Sequence, residues 1–136
     1  MTFSSGRRIA SGVELFLVDL DGVIRIYDPA DTLRVEMAHG LPGGTIEATA
    51  FTEDLMAKVT TGALSRREWV DIIGKRIGNT QAALAWESRP VAVEWRVLRI
   101  TDKLRSLGVQ VGLITNGTDN LRRELSDLAA CVSSPG

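Results

Sequence analysis

The chain has 136 residues, with 44% apolar and 24% charged side chains, which is ordinary for one globular domain with its own core. Its 16 basic and 17 acidic residues give a formal net charge of −1. The basic pairs are scattered, Arg66-Arg67 among them, and we expect them on solvated faces. The charge balance argues against a nucleic-acid partner. No apolar run is long enough to cross a bilayer, so we expect no membrane partner either.

The single cysteine, Cys131, allows no intrachain disulfide and favours a cytoplasmic location.

The most informative stretch lies near the N-terminus, where four apolar residues precede two acidic ones. Leu15–Val18 is followed by Asp19, Asp21 and Gly22. A short apolar run predicts a strand buried on both faces, and Gly22 allows the chain to turn sharply after it. Two carboxylates this close repel each other, which indicates a bound cation or a shared proton. The alternative is a strand that ends in an acidic turn without further function.

The middle of the chain is predicted to be mainly helical. Apolar spacing and turn signals predict helices over residues 31–38, 45–59, 65–77, 80–86, 91–107 and 121–128. Ser65 and Glu68 have the spacing of a capping box, Gly78 ends that helix, and Thr80 is placed to cap the next one. Trp69 lies on the apolar face and is predicted to be a core residue, with contact to a substrate as the alternative.

A second strand is predicted at Val109–Ile114, again apolar and therefore buried. It leads into Thr115, Asn116 and Gly117, where a hydroxyl and backbone N–H groups at a strand end suit phosphoryl oxygens. The alternative is a plain turn into a helix capped by Thr118 or Asp119. His39, the only histidine, has no neighbour in sequence that would orient it as a general base.

Both motifs resemble those of the haloacid-dehalogenase-like (HAD) hydrolases, in the family's order. The first reads Asp19-Leu20-Asp21-Gly22-Val23 and the second Leu113-Ile114-Thr115-Asn116-Gly117. The helical excess between them resembles the cap of the subfamily I type. The resemblance implies an α/β fold, with an incomplete HAD-like, Rossmann-like parallel sheet and a helical cap inserted after the first strand. The expected organisation is a tail over 1–12, a core over 13–28 and 89–136, and a cap over 29–88.

The resemblance also implies a chemistry for these residues. Asp19 would be the nucleophile that forms an aspartyl-phosphate, and Asp21 would be the general acid and base. Mg²⁺ would bind Asp19 and Asp21, the latter through its backbone carbonyl. Thr115, Asn116 and Gly117 would bind the phosphate of a small phosphorylated metabolite.

The sequence departs from the family in its third and fourth motifs, which supply a basic residue and further acidic metal ligands. Neither is found after Thr115. We therefore expect a chain that lacks the C-terminal part of the core, acts as a weak phosphatase and self-associates through an uncovered sheet edge. The alternative is an inactive HAD remnant that serves as a binding or interaction module.

Overall fold

The computed structural model describes residues 12–133, and from residue 131 onward the backbone alone. The predicted tail thus lies almost entirely outside the described residues. Between residues 12 and 133, no helix has the length and hydrophobicity needed to span a bilayer. The described elements in chain order are β1 (Leu15–Val18), β2 (Arg25–Ile26), α1 (Pro29–Ala38), α2 (Thr45–Ala50), α3 (Glu53–Thr60), α4 (Arg66–Ile77), α5 (Thr80–Glu87), β3 (Ala92–Val93), α6 (Trp95–Ser106), β4 (Gln110–Leu113) and α7 (Leu121–Ser133).

The chain divides into two compact units. The strand unit comprises the described residues up to Ile24 together with Glu94–Thr115. The helical unit comprises Arg25–Val93 and the described residues from Asn116 onward. This division groups the last helix with the helical unit, whereas residues 89–136 are predicted to belong to the core. The boundary between core and cap stays a prediction.

In the strand unit, β1 and β4 pair in parallel, from Leu15 opposite Gln110 to Val18 opposite Leu113. The prediction of two adjacent parallel strands is therefore confirmed. The prediction that both strands are buried is wrong, because Leu15 and Leu17 are 52% and 50% exposed and Val18 is the only buried residue of β1. A strand is buried on both faces only when layers cover both sides of its sheet. In the described part of this unit the sheet has two strands, and one helix, α6, packs against β4.

The helical unit has its own apolar core. Its buried members are Ile46, Ala50, Leu55, Val59, Trp69, Val70, Ile73, Ala82, Ala83 and Trp86. The rings of Trp69 and Trp86 meet edge to face at 5.5 Å, a favourable aromatic geometry. The indole N–H of Trp69 donates to the Ala50 carbonyl over 3.0 Å, which satisfies its one polar atom. Trp69 is thus the core residue that its spacing predicts.

Local capping chemistry explains where α4 begins and ends. The Glu68 N–H donates to the Ser65 hydroxyl, while the Glu68 carboxylate accepts from the Ser65 N–H, so the predicted capping box is present. Gly78 ends the helix with φ 71°, a left-handed conformation that suits glycine. The next helix is capped by Asn79, whose side chain accepts from the Ala82 N–H, and the prediction that Thr80 caps it is wrong.

Two other predicted helices need correction. The single helix predicted over residues 45–59 is two helices, because Thr52 has an extended conformation (φ −63°, ψ 147°) and starts α3. The helix predicted from Val91 begins only at Trp95, because Ala92–Val93 pairs antiparallel with Arg25–Ile26.

A buried carboxylate starts α2. Gly44 precedes this helix with φ 87° and has no side chain to cap it. Glu36, 1% exposed on α1, accepts hydrogen bonds from the N–H groups of Gly44 and Ile46, each at 2.8 Å. Glu36 thereby satisfies two donors that the helix start leaves unpaired.

Candidate active site

The predicted site lies where β1 and β4 end. The strands are parallel, and the ladder extends one residue further through a 2.9 Å hydrogen bond from the Ile114 N–H to the Val18 carbonyl. Asp19 follows β1 directly, and Thr115 comes two residues after Leu113. Because the carboxyl ends of parallel strands share one edge of the sheet, Asp19 and Thr115 follow strands that end at the same edge.

The turn after β1 presents two carboxylates to solvent. The Leu20 carbonyl accepts from the Ile24 N–H at 2.9 Å, and Gly22 has a left-handed φ of 78° in this turn. Leu20 itself is buried, whereas Asp19 and Asp21 on either side of it are exposed. The Asp19 carboxylate accepts from the Leu20 N–H at 2.7 Å, which restricts its orientation. Both carboxylates are thus accessible to a ligand from solvent.

The structure divides the predicted site residues between the two units. Asp19, Asp21 and Thr115 belong to the strand unit. Asn116 and Gly117 belong to the helical unit, and the division falls between Thr115 and Asn116. The structure therefore brings three of the five predicted residues together in one unit.

The segment after Thr115 is held close to the start of α7. A Cβ atom on Gly117 would lie 2.6 Å from Leu121 Cδ2, so the Leu121 side chain would have to shift to admit a side chain at this position. The Leu121 N–H donates to the Thr118 carbonyl at 3.1 Å. Asp119, considered above as a cap of the following helix, instead accepts from the Arg66 N–H at 2.7 Å, at the start of α4.

The predicted metal ligands form a small donor set. Within residues 12–130, no three His, Cys, Asp or Glu side chains come together in a way that could hold a metal ion. At the turn after β1, Asp19 offers a carboxylate and Asp21 a backbone carbonyl as oxygen ligands. Carboxylate oxygens suit Mg²⁺, which is usually held by one or two of them while water and substrate phosphate complete its octahedron. Asp19 and Asp21 fit the part of a magnesium site that a protein usually supplies.

His39 is used elsewhere. It lies in the helical unit, and its Nδ1 is 2.8 Å from the Val35 carbonyl oxygen on α1. This contact gives the imidazole a local structural partner, and no neighbour in sequence predicts a catalytic role for it.

Sequence reasoning missed a cluster of charged residues in the helical unit. Glu124 on α7 contacts Arg25 and Arg66, each at 2.7 Å, and Arg66 also contacts Glu87 at 3.0 Å. These residues line part of a cavity of about 280 Å³ together with Tyr27. The expectation that Arg66 lies on a solvated face is wrong, because its side chain is only 16% exposed. No sequence pattern signals the pair between Arg25 and Glu124, which are 99 positions apart.

A third arginine of this unit, Arg89, lies against two aromatic rings. The Arg89 guanidinium lies 4.3 Å from the ring centres of both Tyr27 and Trp86. Burial lowers the pKa of Arg89, because the charged form loses hydration. The cation–π contacts compensate part of that loss and fix the chain after α5 against the residue that follows β2.

The fold can be compared with those of solved proteins. A HAD family enzyme from Bacteroides thetaiotaomicron, solved with magnesium and inorganic phosphate, matches 85% of this chain with a TM-score of 0.62 and 24% identity. An aspartate-to-alanine variant of that enzyme, also with magnesium and phosphate, gives a TM-score of 0.61 at 22% identity over 85% of this chain. A predicted HAD-like family hydrolase from Porphyromonas gingivalis matches 82% with a TM-score of 0.57 at 19% identity.

This chain spans 59%, 58% and 55% of the length of those three structures, respectively. No protein-family model matches the sequence, and neither does any curated protein. Within the region that aligns with these structures, the chain has the fold of the HAD family enzymes, with a partial α/β core and a helical insertion after the first strand.

Proposed function

We propose that the chain belongs to a HAD-type phosphatase that uses magnesium to hydrolyse a small phosphorylated metabolite. The observation that carries the proposal is the parallel pairing of β1 with β4. It supports a common site for Asp19, Asp21 and Thr115, because the first two residues follow one strand and the third follows its partner. The similarity to enzymes solved with magnesium and phosphate supports the same reading.

In the proposed reaction, Asp19 attacks the phosphorus atom and the phosphate ester bond breaks. Asp21 donates a proton to the departing alcohol oxygen, which leaves an aspartyl-phosphate on Asp19. Asp21 then accepts a proton from water as that water attacks the phosphorus, and inorganic phosphate leaves. The Thr115 hydroxyl and the N–H groups of Asn116 and Gly117 donate hydrogen bonds to the phosphoryl oxygens.

Magnesium would be held by the Asp19 carboxylate and by Asp21 through its backbone carbonyl. When bound, it supplies positive charge that offsets the repulsion between an anionic nucleophile and an anionic substrate. At about 4 Å that repulsion is worth roughly 4 kcal/mol at an effective dielectric constant of about 20. Unrelieved, this corresponds to about three orders of magnitude in rate.

Because no basic or acidic motif of the family type is found after Thr115, we propose that this 136-residue chain is slow by itself. The test is steady-state hydrolysis of an aryl phosphate with and without millimolar magnesium. We expect slow, magnesium-dependent turnover that Asp19→Asn abolishes. Turnover that persists in Asp19→Asn would refute the assigned nucleophile, and turnover near 10 per second, the median for enzymes, would refute the weak activity.

A second candidate function is that of a catalytically inactive binding or interaction module. The exposed apolar side chains of β1, Leu15, Phe16 and Leu17, favour it, because such a surface is typical of contact with another protein. Hydrolysis lost in Asp19→Asn would exclude this alternative. We also propose self-association through the edge of β1 and a cytoplasmic location, which the single cysteine favours.

A further inference from the structure

Glu124 is at the centre of the charged cluster in the helical unit. One carboxylate oxygen accepts a hydrogen bond from Arg25 Nη1 at 2.7 Å, and the other lies 2.7 Å from Arg66 Nη1. Arg66 Nε donates to Glu87 at 3.0 Å. Two arginines and two carboxylates thus alternate across β2, α7, α4 and α5.

The Arg25–Glu124 pair of this cluster is largely removed from water. The side chains of Arg25 and Glu124 are 8% and 13% exposed, whereas the Arg105–Asp102 pair on α6 is 63% and 76% exposed at 3.9 Å. Exposed pairs contribute little to stability, but removal of one partner from a buried pair leaves a charge without compensation in a region of low dielectric. Loss of the Glu124 charge should therefore affect its surroundings more than loss of a partner from the exposed Arg105–Asp102 pair.

The cluster also joins the segments that follow the two motifs. Arg25 begins the strand after the turn that carries Asp19 and Asp21. Glu124 lies in the first turn of α7, after the segment that carries Asn116 and Gly117. Asp119, between that segment and α7, binds the backbone N–H of Arg66. Arg66 thus holds the start of α7 at two points, through its N–H and through its guanidinium.

We propose that Glu124 is a positioning residue for phosphate binding. Through Arg25 and Arg66 it fixes α7, and with it the preceding Asn116–Gly117 segment, so that the N–H groups of this segment are ordered before phosphate arrives. The part that concerns phosphate rests on the function proposed above. The anchoring of α7 stands on the ion pairs alone.

The first test is amide hydrogen exchange on the full chain. Glu124→Gln keeps the shape of the side chain but removes its charge, and we expect exchange of amides 117–125 to accelerate by about 100-fold or more. The matched control is Asp102→Asn, which removes one partner of the exposed pair on α6 and should leave those amides unchanged. Unchanged exchange in Glu124→Gln overturns the anchoring.

If Glu124→Gln unfolds the whole helical unit, a red shift in the fluorescence emission of Trp69 and Trp86 will reveal it. In that event a milder variant, Arg66→Lys, is used instead. Arg66→Lys keeps the positive charge but loses the planar fork that reaches both carboxylates. It should accelerate exchange in amides 117–125 more than in the α4–α5 core. Uniform acceleration across the unit, or none, overturns the anchoring.

The second test uses inorganic phosphate as the probe, with binding followed at the Gly117 amide by NMR. We expect Glu124→Gln to weaken phosphate binding tenfold or more, and to raise KM for an aryl phosphate while kcat changes little. Wild-type binding with an unchanged Kd in the variant overturns the positioning role alone. A wild-type chain that neither binds inorganic phosphate nor hydrolyses the aryl phosphate overturns the proposed function, and with it the role of Glu124 in phosphate binding. The hydrogen-exchange test then decides whether Glu124 anchors α7.

Discussion

Removal of the charge on Glu36 should destabilise the helical unit, because this carboxylate is the cap of α2. Its two oxygens accept from Gly44 and Ile46, each at 2.8 Å, and the residue is 1% exposed. In Glu36→Gln one amide oxygen can still accept, but the NH₂ group faces a backbone N–H. The variant therefore loses one charge-assisted hydrogen bond, worth roughly 1.5–3 kcal/mol, and leaves a buried donor unpaired.

We expect Glu36→Gln to lower the free energy of unfolding by about 3 kcal/mol, and Glu36→Ala by roughly 3–5 kcal/mol. This is a large share of the 5–15 kcal/mol that is typical of a domain. A helix of six residues such as α2 has few backbone hydrogen bonds of its own, so the loss of this cap should weigh heavily on it.

The assay is urea unfolding followed by tryptophan fluorescence, in a Trp95→Phe background because Trp95 is exposed and lies in the strand unit. The remaining signal is informative, since Trp69 donates to the carbonyl of Ala50, the last residue of α2. Glu53→Gln, an exposed change in the first turn of α3, is the matched control and should cost less than about 0.5 kcal/mol. A loss below about 1 kcal/mol in Glu36→Gln would refute the reasoning.

Three further predictions concern the helix start of α4, the segment before α7 and the edge of the sheet. Hydrogen bonds from the Ser65 N–H and hydroxyl lower the pKa of Glu68, so the stability they contribute is complete above the unfolded-state pKa and is lost as pH falls through the folded-state pKa. Ser65→Ala should raise the Glu68 pKa part of the way back in an NMR titration, and an unchanged midpoint contradicts this. Gly117→Ala should cost about 1–3 kcal/mol in urea unfolding, since its methyl would lie 2.6 Å from Leu121 Cδ2, and Leu121→Ala should recover part of that loss; strictly additive effects of the two changes argue against the clash. Leu17→Lys should reduce self-association in light scattering, because Leu17 is 50% exposed on β1 and a charge there disfavours edge pairing; a wild-type chain that is already a monodisperse monomer contradicts this.

The sequence predicts local features well where the interacting groups are neighbours in the chain. Ser65 and Glu68 are three residues apart, so their capping box is legible without a structure. The break between α2 and α3 also has a local signal, because Thr52 is followed by the acidic residues Glu53 and Asp54. The apolar spacing continues across this break and favours one long helix instead.

Features that depend on distant parts of the chain could not be predicted in the same way. The pairing of β1 with β4 follows from the order of the two motifs, but the exposure of Leu17 depends on which layers cover the sheet. The ion pair between Arg25 and Glu124 joins positions 99 residues apart, and neither residue has a local pattern that indicates its partner. At the candidate site, the residue types came from the motifs, whereas the division between Thr115 and Asn116 required the structure.

The short β2–β3 ladder has a consequence for how the chain can fold. Pairing Leu15 with Gln110 requires closure of a loop of about 95 residues, and its entropic cost grows with the logarithm of loop length. Once Arg25 pairs with Val93, and the Glu94 N–H donates to the Ile24 carbonyl, the two ends of the insertion are already held together. The remaining closure then spans only the short segments on either side. Once the β2–β3 ladder has formed, the entropic cost of pairing β1 with β4 therefore depends little on the number of residues between Ile26 and Ala92. Changes in the length of this interval should accordingly cost the β1–β4 sheet little.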